Sequence, residues 1–302
     1  MRLALPALLF AAVAFAACST APKPRTEVTE RKDRAAEYAK AGNARYRLAD
    51  YAQARTLFTL ALNENIAVDY EEGIAASCNS LGKVHLALGE LEAAERYFLE
   101  AGRLAKAGGF TRLEAQSSSN LGELFMERGQ AQRAEQHLLE ALALLPPGDT
   151  GEEAAVINHN LGAVLKKQER LPEAMAYFQK ALEMNLGQER WEEAASNCYM
   201  IASIQSLQGD TGGAIATLDQ ALTYDRRMEN SLGIAKDLAA LGSLFRRQGN
   251  APAALESYRK SLQVYQTLSL GAEVKRLLPV LIELAEQAGL PDEAQAYRRL
   301  GE

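Results

Sequence analysis

Apolar and polar positions along this chain follow helical spacing, and the whole pattern returns every forty residues. Leu81 to Ala101 reads LGKVHLALGELEAAERYFLEA, Leu121 to Ala141 reads LGELFMERGQAQRAEQHLLEA, and Leu161 to Ala181 reads LGAVLKKQERLPEAMAYFQKA. Ala54, Ala94, Ala134, Ala174, Ala214, Ala254 and Ala294 hold one register through seven copies. That much phase predicts a solenoid of stacked units, each burying its apolar face only against its neighbours.

The seven units begin near Ala35, Ala75, Ala115, Ala155, Ala195, Ala235 and Lys275. Each reads as two helices; in the second unit, helix A covers Glu72 to Ala87 and helix B covers Leu91 to Leu104. Gly89 lies between them, where a left-handed cap needs a residue without Cβ. Gly129, Gly209, Gly249 and Gly289 repeat it, while Ala49 and Glu169 are exceptions. Inside helix A the column Gly42, Gly82, Gly122, Gly162, Ala202, Gly242 stays small until Ile282. Glycine inside a helix costs about 1 kcal/mol relative to alanine, so the column implies a close approach of helix B. The facing small residues are the Ala94 column and Ala61, Ala101, Ala141, Ala181, Ala221 and Ser261. Leu81, Leu121, Leu161, Ile201, Leu241 and Leu281 fill the remaining space with Phe58, Phe98, Leu138, Phe178, Leu218 and Tyr258.

This grid resembles the tetratricopeptide repeat, from Ala35 almost to the end, in a forty-residue form of a repeat that is commonly 34 residues long. The resemblance implies an all-α, right-handed superhelical solenoid of about seven helix-turn-helix repeats, over 35–302. HEAT-type repeats have a similar length but lack this Gly/Ala grid. The last unit is worn: Pro279 is expected to interrupt its helix A, and Arg298 stands where an aromatic belongs. A polar terminal repeat of this kind suits a cap.

Ahead of the repeats, Met1 to Ala17 reads MRLALPALLFAAVAFAA, too short to span a membrane and built like a signal peptide. It ends in Phe15-Ala16-Ala17-Cys18, which resembles the bacterial lipobox with Phe15 where leucine is usual. The resemblance implies that Cys18 is acylated and becomes the mature N-terminus. Because Ser19 follows rather than Asp, it also implies release to the outer membrane, facing the periplasm. Cleavage after Ala14-Phe15-Ala16 is the alternative, leaving Cys18 a free thiol and the protein soluble in the periplasm. Residues 18–34, rich in Pro, Thr and charge, read as a flexible tether.

A formal net charge of -6, with 24% charged residues and no basic block, argues against nucleic acid as a partner. Cys78 and Cys198 share one column three units apart, too far to bridge, and read as small buried apolar residues. No Walker loop, HExxH, paired CxxC or GxSxG occurs, and neither a cofactor nor a metal is expected. His85 and His137 are expected in packing or on the outer helix, and His159 towards the inner face. The pairs Glu71-Glu72, Glu152-Glu153 and Glu192-Glu193 fall at helix starts, where negative charge meets the helix dipole. Trp191 is expected in an inter-repeat turn, sealing a junction. These observations predict a non-catalytic protein.

In this fold helix A lines the concave face, so its residues not used in packing become the candidate contacts: Asn43, Tyr46, Arg47, Lys83, Glu123, Glu127, His159, Lys166, Lys167, Tyr199, Lys236, Arg246 and Arg247. Sorted by charge, the third unit is acidic, and the fourth and sixth form a basic stripe around Tyr199. Such a stripe fits an extended, acidic or carboxylate-ended peptide. Co-chaperones of this repeat family grip a C-terminal carboxylate with Lys and Asn; Asn43 matches one position, but Ala39 replaces the lysine. The expectation is an interaction scaffold that holds an envelope protein or peptide, touching the membrane only through a lipid. The alternative is a periplasmic small-molecule or peptide-binding subunit serving a transporter, for which a closed pocket around Tyr199 would speak.

Overall fold

A computed structural model describes residues 26–301 as helices joined by short turns. The first units hold α1 (Glu27–Arg47), α2 (Tyr51–Ala67), α3 (Glu71–Ala87), α4 (Leu91–Gly108), α5 (Thr111–Glu127) and α6 (Ala131–Leu144). The fourth and fifth hold α7 (Glu152–Lys167), α8 (Leu171–Gly187), α9 (Trp191–Leu207) and α10 (Thr211–Arg227). The last two hold α11 (Ser231–Arg247), α12 (Ala251–Thr267), α13 (Gly271–Gln287) and α14 (Pro291–Gly301). None of the described helices is long and apolar enough to cross a membrane. Cys18 and the segment read as a signal peptide lie outside the described residues.

Each helix packs on the one before and the one after it, and successive odd helices from α1 to α11 also approach each other closely. The odd helices therefore form the inner layer and the even helices the outer one. The glycine column does what its spacing implied. A Cβ on Gly162 would lie 2.9 Å from three atoms of the Phe178 ring, and one on Gly242 would lie 2.9 Å from Tyr258. Ala54, Ala94, Ala134, Ala174, Ala214, Ala254 and Ala294 are wholly buried beneath these contacts.

Gly89 adopts φ +75 in the turn within its repeat, as do Ala49 and Glu169 at φ 56 and φ 62. Four of the turns between repeats use the same conformation without glycine, which the sequence did not advertise: Asp69, Glu189, Glu229 and Ser269 have φ 51, 55, 54 and 57, while Gly109 and Gly148 serve the other two. Closing hydrogen bonds compensate; at the first such turn Tyr70 N donates to Asn65 O at 3.0 Å and Asp69 N to Ile66 O at 3.1 Å.

Four expectations need correction. Residues 27–34, read as tether, are helical, because Thr26 caps a helix starting at Glu27. This polar turn is held by charge: Arg31 and Arg34 reach Glu64 at 3.2 and 3.1 Å, and Lys32 Nζ stands 3.6 Å above the Tyr70 ring. Pro279 does not interrupt α13; it and Lys275, whose carbonyl loses its donor, are both exposed, so water can satisfy that oxygen. Arg298 leaves the aromatic position to its neighbour Tyr297, which joins the core that Ile282 borders. Trp191 begins α9 rather than sitting in a turn, and it seals the junction there: Tyr224 packs at 5.5 Å and the Arg227 guanidinium lies 4.0 Å above its ring. Cys78 and Cys198 are buried and unpaired, as expected.

Candidate functional site

The concave face is built from side chains of α1, α3, α5, α7, α9, α11 and α13. Much of its polar surface is spent on ties between neighbouring repeats. Asn120 Nδ2 donates to Asn79 Oδ1 at 3.3 Å, and Asn79 Nδ2 donates to Gln116 Oε1 at 3.3 Å. His159 Nδ1 meets Asn197 Oδ1 at 2.8 Å, with its ring edge-on to Phe178. Burial holds the His159 imidazole below its ordinary pKa, so it is neutral at pH 7. The other two histidines stack on aromatics, His85 on Tyr97 and His137 on Phe125.

The expected basic stripe is not present as a stripe. Lys166 Nζ donates to Ser203 Oγ at 2.7 Å and is half-buried, which lowers its pKa. Arg246 pairs with Glu283 on α13 at 3.0 Å. Arg247 is drawn to Ser206, whose carbonyl accepts at 3.2 Å. Lys167 and Lys236 remain exposed. Three of five expected cations are thus occupied by neighbouring repeats, because the stacking brings positions about forty residues apart within side-chain reach.

In the N-terminal half the structure gathers Tyr46, Lys83 and Glu123, with Glu127 beside them. Lys83 Nζ stands 5.5 Å from the Tyr46 ring centre. Burial and then the Glu123 carboxylate push the Tyr46 hydroxyl up to about 12. Burial also raises Glu123, against the pull of Lys83, with Glu127 adding to the rise. Glu153, read from sequence as a helix-start charge, shares this field: burial lifts its carboxyl to about 7, opposed by Lys83. Asn43 and Arg47 are exposed at the rim of the same half.

The C-terminal half holds the deeper feature. The backbones of successive inner-layer helices approach closely up to α9 and α11, but those of α11 and α13 stand further apart, bridged by Arg246 and Glu283. On α9 and α11 the groove side is small, with Ser203, Ser206, Ala239, Ala240 and Ser243. A concavity of about 410 Å³ opens there, with Tyr199 and Arg276 on its rim and Tyr258 and Tyr265 of α12 below. A second, of about 500 Å³, shares Tyr199, Lys236 and Arg276 and continues towards Glu192, Asp225, Asp237 and Glu273. Both volumes are in the range of ligand or side-chain pockets. Sequence reasoning named Tyr199 and Lys236 but missed Arg276, Tyr265, Asp225 and Asp237. The available signal was the change of the Asn65 column to Asp225 and of the Ser77 column to Asp237.

Among the described residues no group of three or more His, Cys, Asp or Glu is placed to hold a metal ion.

Tetratricopeptide-repeat profiles match residues 74–106, 113–187 and 195–227. No curated protein matches the sequence. Among solved structures, the apo form of RapI superposes with a TM-score of 0.64 at 12% identity, over 88% of this chain and 96% of that one. A Rap protein complexed with competence and sporulation factor gives 0.65 at 16% identity, over 92% and 75%. PilF of Pseudomonas aeruginosa gives 0.57 at 20% identity, over 86% and 99%. At these identities the likeness is one of fold. The matched profiles mark tetratricopeptide repeats over those residues, and the chain is folded as a right-handed superhelical solenoid of paired helices.

Proposed function

We propose that this protein is a non-catalytic scaffold that holds an extended segment of a partner protein or peptide in its concave groove. The observation that carries this reading is the gap between α11 and α13, where two adjoining concavities of about 410 and 500 Å³ share Tyr199, Lys236 and Arg276. Adjoining pockets along one groove suit successive side chains of an extended chain. The structure of a Rap protein with its Phr* peptide, similar in fold at a TM-score of 0.65, supports a peptide as the kind of occupant. Filling the first concavity by Ala240→Trp should abolish capture of the partner segment while leaving the helical signal unchanged. Undiminished capture by a folded Ala240→Trp protein would contradict the reading.

The size of the first concavity also favours a second reading, a small molecule held between Tyr199 and Arg276. A ligand that competes with partner segments for the same Ala240-lined space would separate the two.

The groove faces an envelope compartment in this proposal, with the chain anchored by acylation of Cys18 and assisting assembly of an envelope complex. Support comes from the lipobox-like end of the leader and from Ser19. Acyl chains on Cys18 would make a stable anchor where one chain alone would not. Cys18→Ala should move the protein from the membrane to the soluble fraction; unchanged fractionation would remove the anchor.

A further inference from the structure

At each junction between repeats, the last turn of an even helix packs a buried residue near one from the next inner helix, twelve positions on. The pairs are Asn65 with Ser77, Ala105 with Ser117, Leu145 with Ile157, Asn185 with Asn197, Asp225 with Asp237, and Tyr265 with Leu277. All twelve are buried. Asn65 and Ser77 show what this position needs structurally, a neutral hydrogen bond of 3.2 Å, and the Leu145 and Ile157 pair shows that none is required. Only the fifth junction uses two carboxyl groups. Asp225 is 4% exposed and Asp237 2%.

Two carboxyls at such a position are costly unless something beyond the junction uses them. Asp225 Oδ1 accepts from Asn230 Nδ2 at 2.9 Å and the two carboxyls share a hydrogen bond, but Asp237 Oδ2 is buried and has no donor from any other residue. Asp237 lines the second concavity, so a ligand held there lies against this residue. Tyr265, 1% exposed, lines the adjoining concavity and bonds Arg276 through its hydroxyl. Glu192, Asp225, Asp237 and Glu273 place four carboxyls around the second concavity against two cations, Lys236 and Arg276.

We propose that the Asp225–Asp237 pair is a recognition site for an organic cation, the guanidinium or ammonium group of a basic residue or chain start in the bound segment. The proposal rests on the groove reading above and reverses the charge expected from sequence. The free N–H donors of the cation would satisfy Asp237 Oδ2, and the proton shared by the two carboxyls would leave to solvent. Binding is therefore exchange of a proton for a cation.

The pair is lifted as a unit. Burial first, and then the neighbouring Asp225, push Asp237 up to about 8, while Lys236 pulls it down. Asp225 is raised by burial and by Glu192, against its hydrogen bond to Asn230 and the Lys236 charge. From α9, Cys198 and Tyr199 also feel the Asp237 charge, and Arg276 of α13 opposes it at Tyr199. Cation affinity should rise with pH through the upper titration of the pair.

The test uses the full chain and Nα-acetylarginine amide as probe (arginine amide below), with Nα-acetylcitrulline amide (citrulline amide below) as its uncharged counterpart, followed by calorimetry in buffers of different protonation enthalpy. Saturable binding of arginine amide with proton release at pH 6, absent for citrulline amide and at least tenfold weaker in Asp237→Asn, is expected. Glu192→Gln, a rim change outside the core, should weaken binding by a smaller factor and covers the case in which Asp237→Asn does not fold. Arginine amide binding no tighter than citrulline amide, or equal in wild type and both variants, would overturn the proposal. A parallel selection from an extended-peptide library separates the two readings. Peptides that bind the groove without any Lys or Arg preference leave the groove and remove the cation site. Arginine amide binding at the pair without peptide selection leaves the cation site and removes the peptide groove.

Discussion

The ring of Phe178 lies against Gly162 so closely that an added Cβ would stand 2.9 Å from its Cδ1, Cδ2 and Cε1. The glycine is thus a spacing element between α7 and α8. Gly162→Ala gains up to about 1 kcal/mol of helix propensity and loses about 1–3 kcal/mol to overpacking. Net destabilisation is expected, read as a lower urea midpoint with unchanged slope. Gly212→Ala, where no atom lies within 4 Å of the new methyl, should show no such loss.

This contact was legible in the sequence because it repeats: the Gly162 and Phe178 columns recur every forty residues and their spacing admits one packing. The first turns of α1 were not legible, since the polar helix from Glu27 is held by Arg31 and Arg34 against Glu64 rather than by an apolar stripe. Nor was the state of the cations. Lys166 and Arg246 lie on the inner helices α7 and α11, but their partners Ser203 and Glu283 lie one repeat further along, at a distance set by the superhelix. The C-terminal concavity was hidden for a different reason. It arises from small residues such as Ala239 and Ala240 and from the wider backbone spacing of α11 and α13, and absence of bulk has no motif.

Asp237 makes stability pH-dependent in a stated direction. Its folded pKa of about 8 exceeds the ordinary aspartate value of about 4, so the folded state holds more protons between those limits. Wild-type stability should therefore fall as pH rises from about 4 to about 8 through this group. Asp237→Asn cannot ionise. Its Tm should match wild type near pH 4 and exceed it at pH 8, by about 2–4 °C for each kcal/mol relieved. Equal differences at both pH values would contradict the assignment.

His159 acts on the acid side. Burial lowers its folded pKa, so below about pH 6.5 the unfolded chain takes up protons that the folded chain refuses. Its contribution is complete above that pH and is lost as pH falls towards the folded value. His159→Gln should flatten the decline in Tm between pH 6.5 and 5, and an unaltered decline would assign it to other groups.

Burial pushes the Cys78 and Cys198 thiols up to about 11 and about 12. In the Cys18→Ala chain neither should react with an aromatic disulfide reagent at pH 8 under native conditions, and both should react in urea. Rapid native labelling of either would mean that its junction opens.

Capture of a partner in the groove is tested most directly by a photo-crosslinking residue placed at Ser243, inside the C-terminal concavity, and separately at Leu139, exposed on the outer helix α6. Crosslinks to one extended peptide segment from position 243 and none from 139, lost on adding Ala240→Trp, are expected. Equal crosslinking from both positions, or persistence after Ala240→Trp, would contradict binding in the concave groove.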